Sequence, residues 1–211
     1  MSPTVTRAWH AALALLAGVA LVGQTVLVVR ADASVVDLLS YFTIQSNVLV
    51  LVTSVGLALD PARDGRLWRA VRLAALVGIT TTGLVYTVAI GPYVSFTGAA
   101  WWYDKVFHYV VPLAAVVGHV LVRPRTRFVR GDLVFLAWPV LWLAYTLVRG
   151  RVGSPSFAAG EGTTSRYPYD FIDVDAHGGA YVAVASVVVT LVLVGLALGY
   201  VRLGRAGAPA A

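Results

Sequence analysis

With no cysteine in its 211 residues, the chain cannot do thiolate chemistry, form disulfides or hold a Cys-ligated metal, and the first candidates for a nucleophile are its hydroxyls. The hydroxyl best placed is that of Thr43. It shares an apolar run with Ser40, Ser46, Asn47 and Ser54, which the helical period gathers near one face, and Asn47 follows it by one turn. His108 is the matching base. An imidazole accepts the proton of a hydroxyl, and Thr–His is the minimal nucleophile–base pair for acyl transfer. Asp104, one turn before His108, is placed either to orient the ring or to pair with Lys105 at the interface. Asn47 is the candidate oxyanion donor, and Tyr86 and Tyr145 are the candidate substrate contacts at a similar level. A purely structural reading stands beside each, since Ser, Thr and Asn join helices by hydrogen bonds in membranes and tyrosines anchor interfaces.

Such residues need a scaffold, and composition says of which kind. The chain is 59% hydrophobic and 12% charged with a mean hydropathy of +0.80, where soluble domains have about 45–50% and 25%. The expectation is an all-α integral membrane six-helix bundle in a single domain over residues 1–211. Its spans fall at about 8–29, 38–59, 70–90, 103–122, 133–148 and 179–201, each near the length that crosses ~30 Å of hydrocarbon. Thr43 and His108 are each five residues into their spans, so both lie about 7.5 Å deep at 1.5 Å per residue. The apolar run after Met1–Arg7 exceeds the ~7–15 residues of a signal-peptide core and reads as an uncleaved first helix. Pro139 predicts a kink in the fifth span.

Sixteen Lys and Arg outnumber ten Asp and Glu, and their distribution reads as topology. Eleven fall on the side of the two termini and of the second and fourth connections, Arg72 counted among them, and five on the other side. Both termini are therefore expected in the cytoplasm of a multi-pass protein of the cell membrane. His119 lies three turns from His108, but His10 and His177 supply no matching pair on a second helix, so a bis-histidine haem site fails. His119 is read as a headgroup-level residue beside Arg123. Gly195 and Gly199 form a small-xxx-small pair suited to close helix packing. The long connection 150–178 carries Glu161, Asp170, Asp173 and Asp175 and is either a lid or a solvated link. No phosphate loop, dinucleotide fingerprint or HExxH motif is present. No metal or cofactor is required, and the expected partners are membrane lipids and a lipid-ester substrate, not nucleic acid.

The segments Tyr41-Phe42-Thr43-Ile44-Gln45-Ser46-Asn47, Phe107-His108-Tyr109-Val110-Val111-Pro112, Trp138-Pro139 and Tyr169-Asp170-Phe171-Ile172-Asp173 resemble a bacterial family of six-span membrane proteins common in high-GC Gram-positive organisms. More distantly, the stretch from Leu38 to Asp175 is similar to the androgen-induced and androgen-dependent membrane proteins of animals. Those hydrolyse fatty acid esters of hydroxy fatty acids with an intramembrane threonine and histidine. The resemblance puts the threonine on Thr43 and the histidine, followed shortly by a proline, on His108. An aromatic-Pro-Phe motif would fall on Tyr169 to Phe171, where Asp170 replaces the proline. The expected function is an intramembrane lipid-ester hydrolase. The alternatives are a non-catalytic bundle that binds or carries a lipid or small amphiphile, and a structural or regulatory membrane subunit.

Overall fold

The computed structural model describes residues 2–160 and 163–205. Glu161, assigned above to the long connection, lies outside them. The described chain is an all-α membrane bundle with six apolar segments long enough to span a bilayer: Pro3–Arg30, Phe42–Leu59, Arg66–Tyr93, Gly98–Leu121, Arg130–Val152 and Val174–Gly204. They comprise α1 (Pro3–Arg30), α3 (Phe42–Leu59), α4 (Arg66–Val85), the collinear pair α5 (Gly98–Lys105) and α6 (Val111–Leu121), α7 (Ala137–Val152) and α8 (Val174–Arg205). A short α2 (Val35–Ser40) precedes α3, and a two-stranded hairpin, Phe157–Gly160 with Thr163–Ser165, follows α7. Both ends of the described chain lie on one side, called here the terminal side, where Thr6 and Leu203 each meet the segment after α6. The hairpin lies on the other, the loop side.

The central helix is α4. Leu73, Ala75, Leu76, Val77 and Ile79 are fully buried, and α3, α6 and α8 pack around it. The outer helices α1 and α8 bury few residues and turn valines and leucines outward, as hydrocarbon requires. Because α7 and α8 make little contact with one another, the bundle is open between them.

Several expectations are corrected. The second span begins at Phe42, because the backbone breaks at Tyr41 (φ −68°, ψ 130°) between α2 and α3. The fourth starts at Gly98, before Tyr103. Pro139 breaks no helix: it stands in the first turn of α7, just after the 3-10 stretch Arg130–Leu136, where its missing N–H leaves no gap in the ladder. A Cβ at Gly195 or Gly199 would meet no atom, so that pair is no packing seam in this chain. Arg72 is not in the connection but inside α4 at 1% exposure. His119 is likewise buried, between Phe128 and Tyr200, since residues 122–129 fold back over it. The last helix starts as expected, for Gly178 (φ 78°) separates a first turn from the continuous rod beyond.

Candidate active site

Local sequence explains where the two key side chains sit. Ser40 and Tyr41 end α2 and turn the chain, so Thr43 is the second residue of α3 and its side chain stands at a helix N-terminus. His108 lies in a π-turn, Val106–Val110, between α5 and α6. Pro112 is the cause. It has no N–H for the His108 carbonyl four residues back, and its ring crowds that carbonyl. The ladder widens, with the Val111 N–H reaching Val106 O. Gly83 lets α4 approach this turn, since a Cβ there would lie 3.0 Å from Pro112 Cβ and 3.3 Å from the His108 carbonyl oxygen.

The two side chains meet, with Thr43 Oγ1 3.4 Å from His108 Nε2. On the other edge of the ring, Nδ1 lies 3.0 Å from Asp104 Oδ1 and 2.9 Å from the Asp104 carbonyl. Both neighbours are acceptors, so Nδ1 carries the proton and Nε2 presents its lone pair to Thr43. Asp104 is buried and also receives bonds from Tyr86 Oη at 2.7 Å and Lys105 Nζ at 2.9 Å. The Tyr86 ring stacks on the imidazole, centroids 3.7 Å apart and planes 14° from parallel. The histidine therefore has a fixed tautomer, a fixed plane and a carboxylate behind it.

On the far side of Thr43, the phenol oxygen of Tyr169 lies 3.2 Å from Oγ1 and accepts from the Thr43 backbone N–H at 3.1 Å. Tyr41, the residue before α3, provides no side-chain cap, so Tyr169 caps the helix from the long connection. Burial pushes the Tyr169 phenol above the ordinary tyrosine range, and it stays a donor. Donor directions then agree along one line: Tyr169 O–H to Thr43 Oγ1, Thr43 O–H to His108 Nε2, His108 Nδ1–H to Asp104.

The connection that delivers Tyr169 is fastened at several points. Arg149 pairs with Asp37, whose other carboxylate oxygen accepts from Ser156 N at 3.1 Å. Tyr167 fills the notch left by Gly150, and Tyr41 meets the rings of Phe157 and Tyr169 edge-on. Trp142 Nε1 donates to the Ser40 carbonyl at 2.9 Å.

Thr43, Tyr86 and Tyr169 also line a cavity of about 340 Å³, within the size range of small-ligand pockets. Its wall is otherwise nearly all apolar, from α4, α7 and α8. Val140 and Thr190, both exposed on the bundle surface, are part of it, so the cavity opens sideways between α7 and α8.

Of the candidate residues, Thr43, His108 and Tyr86 come together, and Asp104 takes the orienting position. Asn47 does not join them. Its Nδ2 donates to the Thr43 carbonyl at 2.9 Å, a bond within α3 that directs the amide away from the hydroxyl. Tyr145 is also elsewhere, its hydroxyl 3.1 Å from Ser40 Oγ. Tyr169, which the resemblance placed on an imperfect aromatic-Pro-Phe motif without a role, is the residue that sequence reasoning missed. Comparisons with known protein families, with curated proteins and with solved structures find no match.

Proposed function

We propose that this protein is an intramembrane hydrolase of lipid esters in which Thr43 is the nucleophile and His108 the general base. The observation that carries the reading is the continuous line Tyr169–Thr43–His108–Asp104, whose Tyr169 and Thr43 line a laterally open apolar cavity. The resemblance of the segments around Thr43 and His108 to threonine-type lipid hydrolases supports it.

In the reaction, Thr43 Oγ attacks the acyl carbonyl carbon while its proton passes to His108 Nε2. The imidazolium is stabilised by Asp104. Collapse of the tetrahedral intermediate breaks the ester C–O bond, and His108 returns the proton to the departing alcohol oxygen. Water then adds to the acyl-threonine with His108 taking its proton, and release of the carboxylic acid restores Thr43. The developing oxyanion is met by the Tyr169 hydroxyl, which turns its proton from Thr43 Oγ1 to the new oxygen while it keeps capping the Thr43 N–H, in place of the Asn47 amide proposed above. A preorganised donor of this kind contributes about 10²–10³ in rate.

The charge distribution supports a placement in the cell membrane with both termini in the cytoplasm. Thr43 would then lie in the outer half, reached from the outer leaflet. A lipid-binding bundle without chemistry is favoured by one observation: Thr43 and His108 are 3.4 Å apart, long for a bond between a hydroxyl and its base. Labelling the purified protein with a fluorophosphonate probe separates the two readings. Wild type should be labelled and Thr43→Ala should not; an unlabelled, folded wild type that still binds fatty esters leaves the binder in front.

A further inference from the structure

Among the described residues, the buried carboxylates are all satisfied, by cations or, at Asp173, by Ser165 and backbone N–H groups, whereas one buried cation is not. Asp104 has Lys105 and His108, Asp37 has Arg149, and the fully buried Asp132 has Arg69 and the Val129 N–H. Arg72 has no carboxylate within 4 Å among the described residues. It lies six residues into α4, about 9 Å along the helix from Arg66, at 1% exposure. Its Nη1 donates to Thr53 Oγ1 at 3.0 Å, and its Nε has no acceptor. A guanidinium held out of water without a counter-charge is strongly unfavourable, and removal of one proton does not relieve it as it does for lysine.

What surrounds Arg72 says what is missing. His10 of α1, His119 of α6 and Tyr200 of α8 all lie within electrostatic range of its charge. His10 Nδ1 and His119 Nε2 are buried and have no partner, and the Tyr200 hydroxyl is already occupied 2.9 Å from Thr80 Oγ1. The His119 ring is held in place by Phe128 and Tyr200, at centroid distances of 5.4 and 5.3 Å. Five helices thus bring to the terminal half of the bundle a fixed positive charge, the Thr53 hydroxyl and two unpartnered imidazoles that can each carry an N–H at the free position by choice of tautomer. The Arg72 Nε–H is a donor left unpaired and both ring nitrogens can be set as donors beside it, and a buried intramembrane charge of this kind is a functional site until its partner is found.

We propose that the terminal half of the bundle holds a second site, a receptor for a small monovalent anion of halide size, centred on Arg72 and flanked by His10, His119 and Thr53. One negative charge balances the one guanidinium. A compact ion suits an enclosed position that exposes 1% of the arginine, whereas a phosphate headgroup would bring a glycerol backbone with it. The site lies at the opposite end of the bundle from Thr43 and does not depend on the hydrolase reading.

The test uses the full chain in nonionic detergent, exchanged into sodium gluconate, with unfolding followed by tryptophan fluorescence. Chloride and bromide should raise Tm saturably at constant ionic strength, and further gluconate should not. Arg72→Gln should remove the halide response. His119→Gln should shift its midpoint by about tenfold or more, which corresponds to ~1.4 kcal/mol of binding. The exposed Arg66→Gln should leave it unchanged. A wild type indifferent to halide overturns the proposal, as does stabilisation only by phosphate or by phosphatidylglycerol. If Arg72→Gln fails to fold, the His10→Gln/His119→Gln double variant decides, and an unaltered halide midpoint in it rejects the site.

Discussion

Asp104 is the residue at which a catalytic and a purely structural reading of the site diverge most. Asp104→Asn keeps the shape of the side chain but can offer a donor where His108 Nδ1–H now donates, which favours the wrong tautomer. Ester turnover should fall about 10³–10⁴-fold, as for the equivalent change in a serine triad. Thermal stability should move little if Tyr86 and Lys105 still hold the side chain. Thr43→Ala and His108→Ala should each abolish turnover in a folded protein and the double variant should lose little more, because members of one catalytic unit are strongly non-additive. A mere interhelical hydrogen bond would cost only ~0.6 kcal/mol, so near wild-type turnover in folded Thr43→Ala rejects the mechanism. Thr43→Ser should retain activity. Tyr169 links site and stability: burial raises the Tyr41 and Tyr169 phenols, so the folded chain holds protons that the unfolded chain sheds near pH ~10. This contribution is complete below that pH and is lost as pH rises toward the folded values, with the unfolded state binding fewer protons. Tyr169→Phe should flatten the alkaline fall in Tm and lower turnover by about 10²-fold or more. His108 was legible because an imidazole in an apolar run is scarce, and Thr43 because it shares a polar helical face with Asn47 in a segment that resembles threonine hydrolases. Tyr169 was not, because its role depends on a cap that Tyr41 fails to provide, a fact of three dimensions. Asn47 misled because its amide had a closer acceptor in its own helix.

At the scale of elements, apolar length alone made all six spans legible, yet the equal-depth argument for Thr43 and His108 rested on helix starts that the structure moves. Thr43 is the second residue of its helix and His108 the eleventh of its rod. They meet because α4 packs at Gly83 against the π-turn, which sets where the α5–α6 rod stands beside α3. Such offsets leave no periodic trace in sequence. The prolines show the same limit: Pro139 and Pro112 look alike in an apolar run, but one opens a helix and the other widens one. Arg72 was misplaced because an arginine beside a run of arginines reads as a connection, although Leu73 to Val77 follow it directly. Gly83 provides the test at this scale. A methyl there meets the His108 carbonyl at 3.3 Å and Pro112 Cβ at 3.0 Å, and backbone and proline yield little. Gly83→Ala should displace the π-turn and cut turnover more than tenfold at a cost of about 1–3 kcal/mol, the usual range for overpacking. Gly195→Ala, with nothing near it, is the control. Equal activity in both would show that the π-turn does not hold His108 in place.

For the whole molecule, the side opening between α7 and α8 couples the site to the bilayer. A water-borne ester would enter from the loop side, where the connection from α7 to α8 is tied down through Asp37, Gly150 and Tyr169. A membrane ester can slide in past Val140 and Thr190 without leaving hydrocarbon. Orientation fixes which leaflet it leaves. Reporter fusions after Arg130 should read cytoplasmic and one after Gly153 external, and the reverse pattern would move the supply of substrate to the inner leaflet. The route itself is tested by filling the mouth. Val140 is 63% exposed and contributes to the cavity wall, so Val140→Trp adds bulk at the rim without touching Thr43, His108 or Asp104. On the lipid face an indole carries no penalty of exposure, and folding should be unaffected. If substrate enters laterally, kcat/KM for a long-chain ester in vesicles should drop about tenfold or more, the effect of ~1.4 kcal/mol on the encounter. A short soluble ester, which can also approach from water, should lose much less, and fluorophosphonate labelling of Thr43 should persist. Equal losses on both esters would mean that the tryptophan disturbs the site itself. No loss on either would place the entrance elsewhere, and the loop-side connection would then have to open for every turnover.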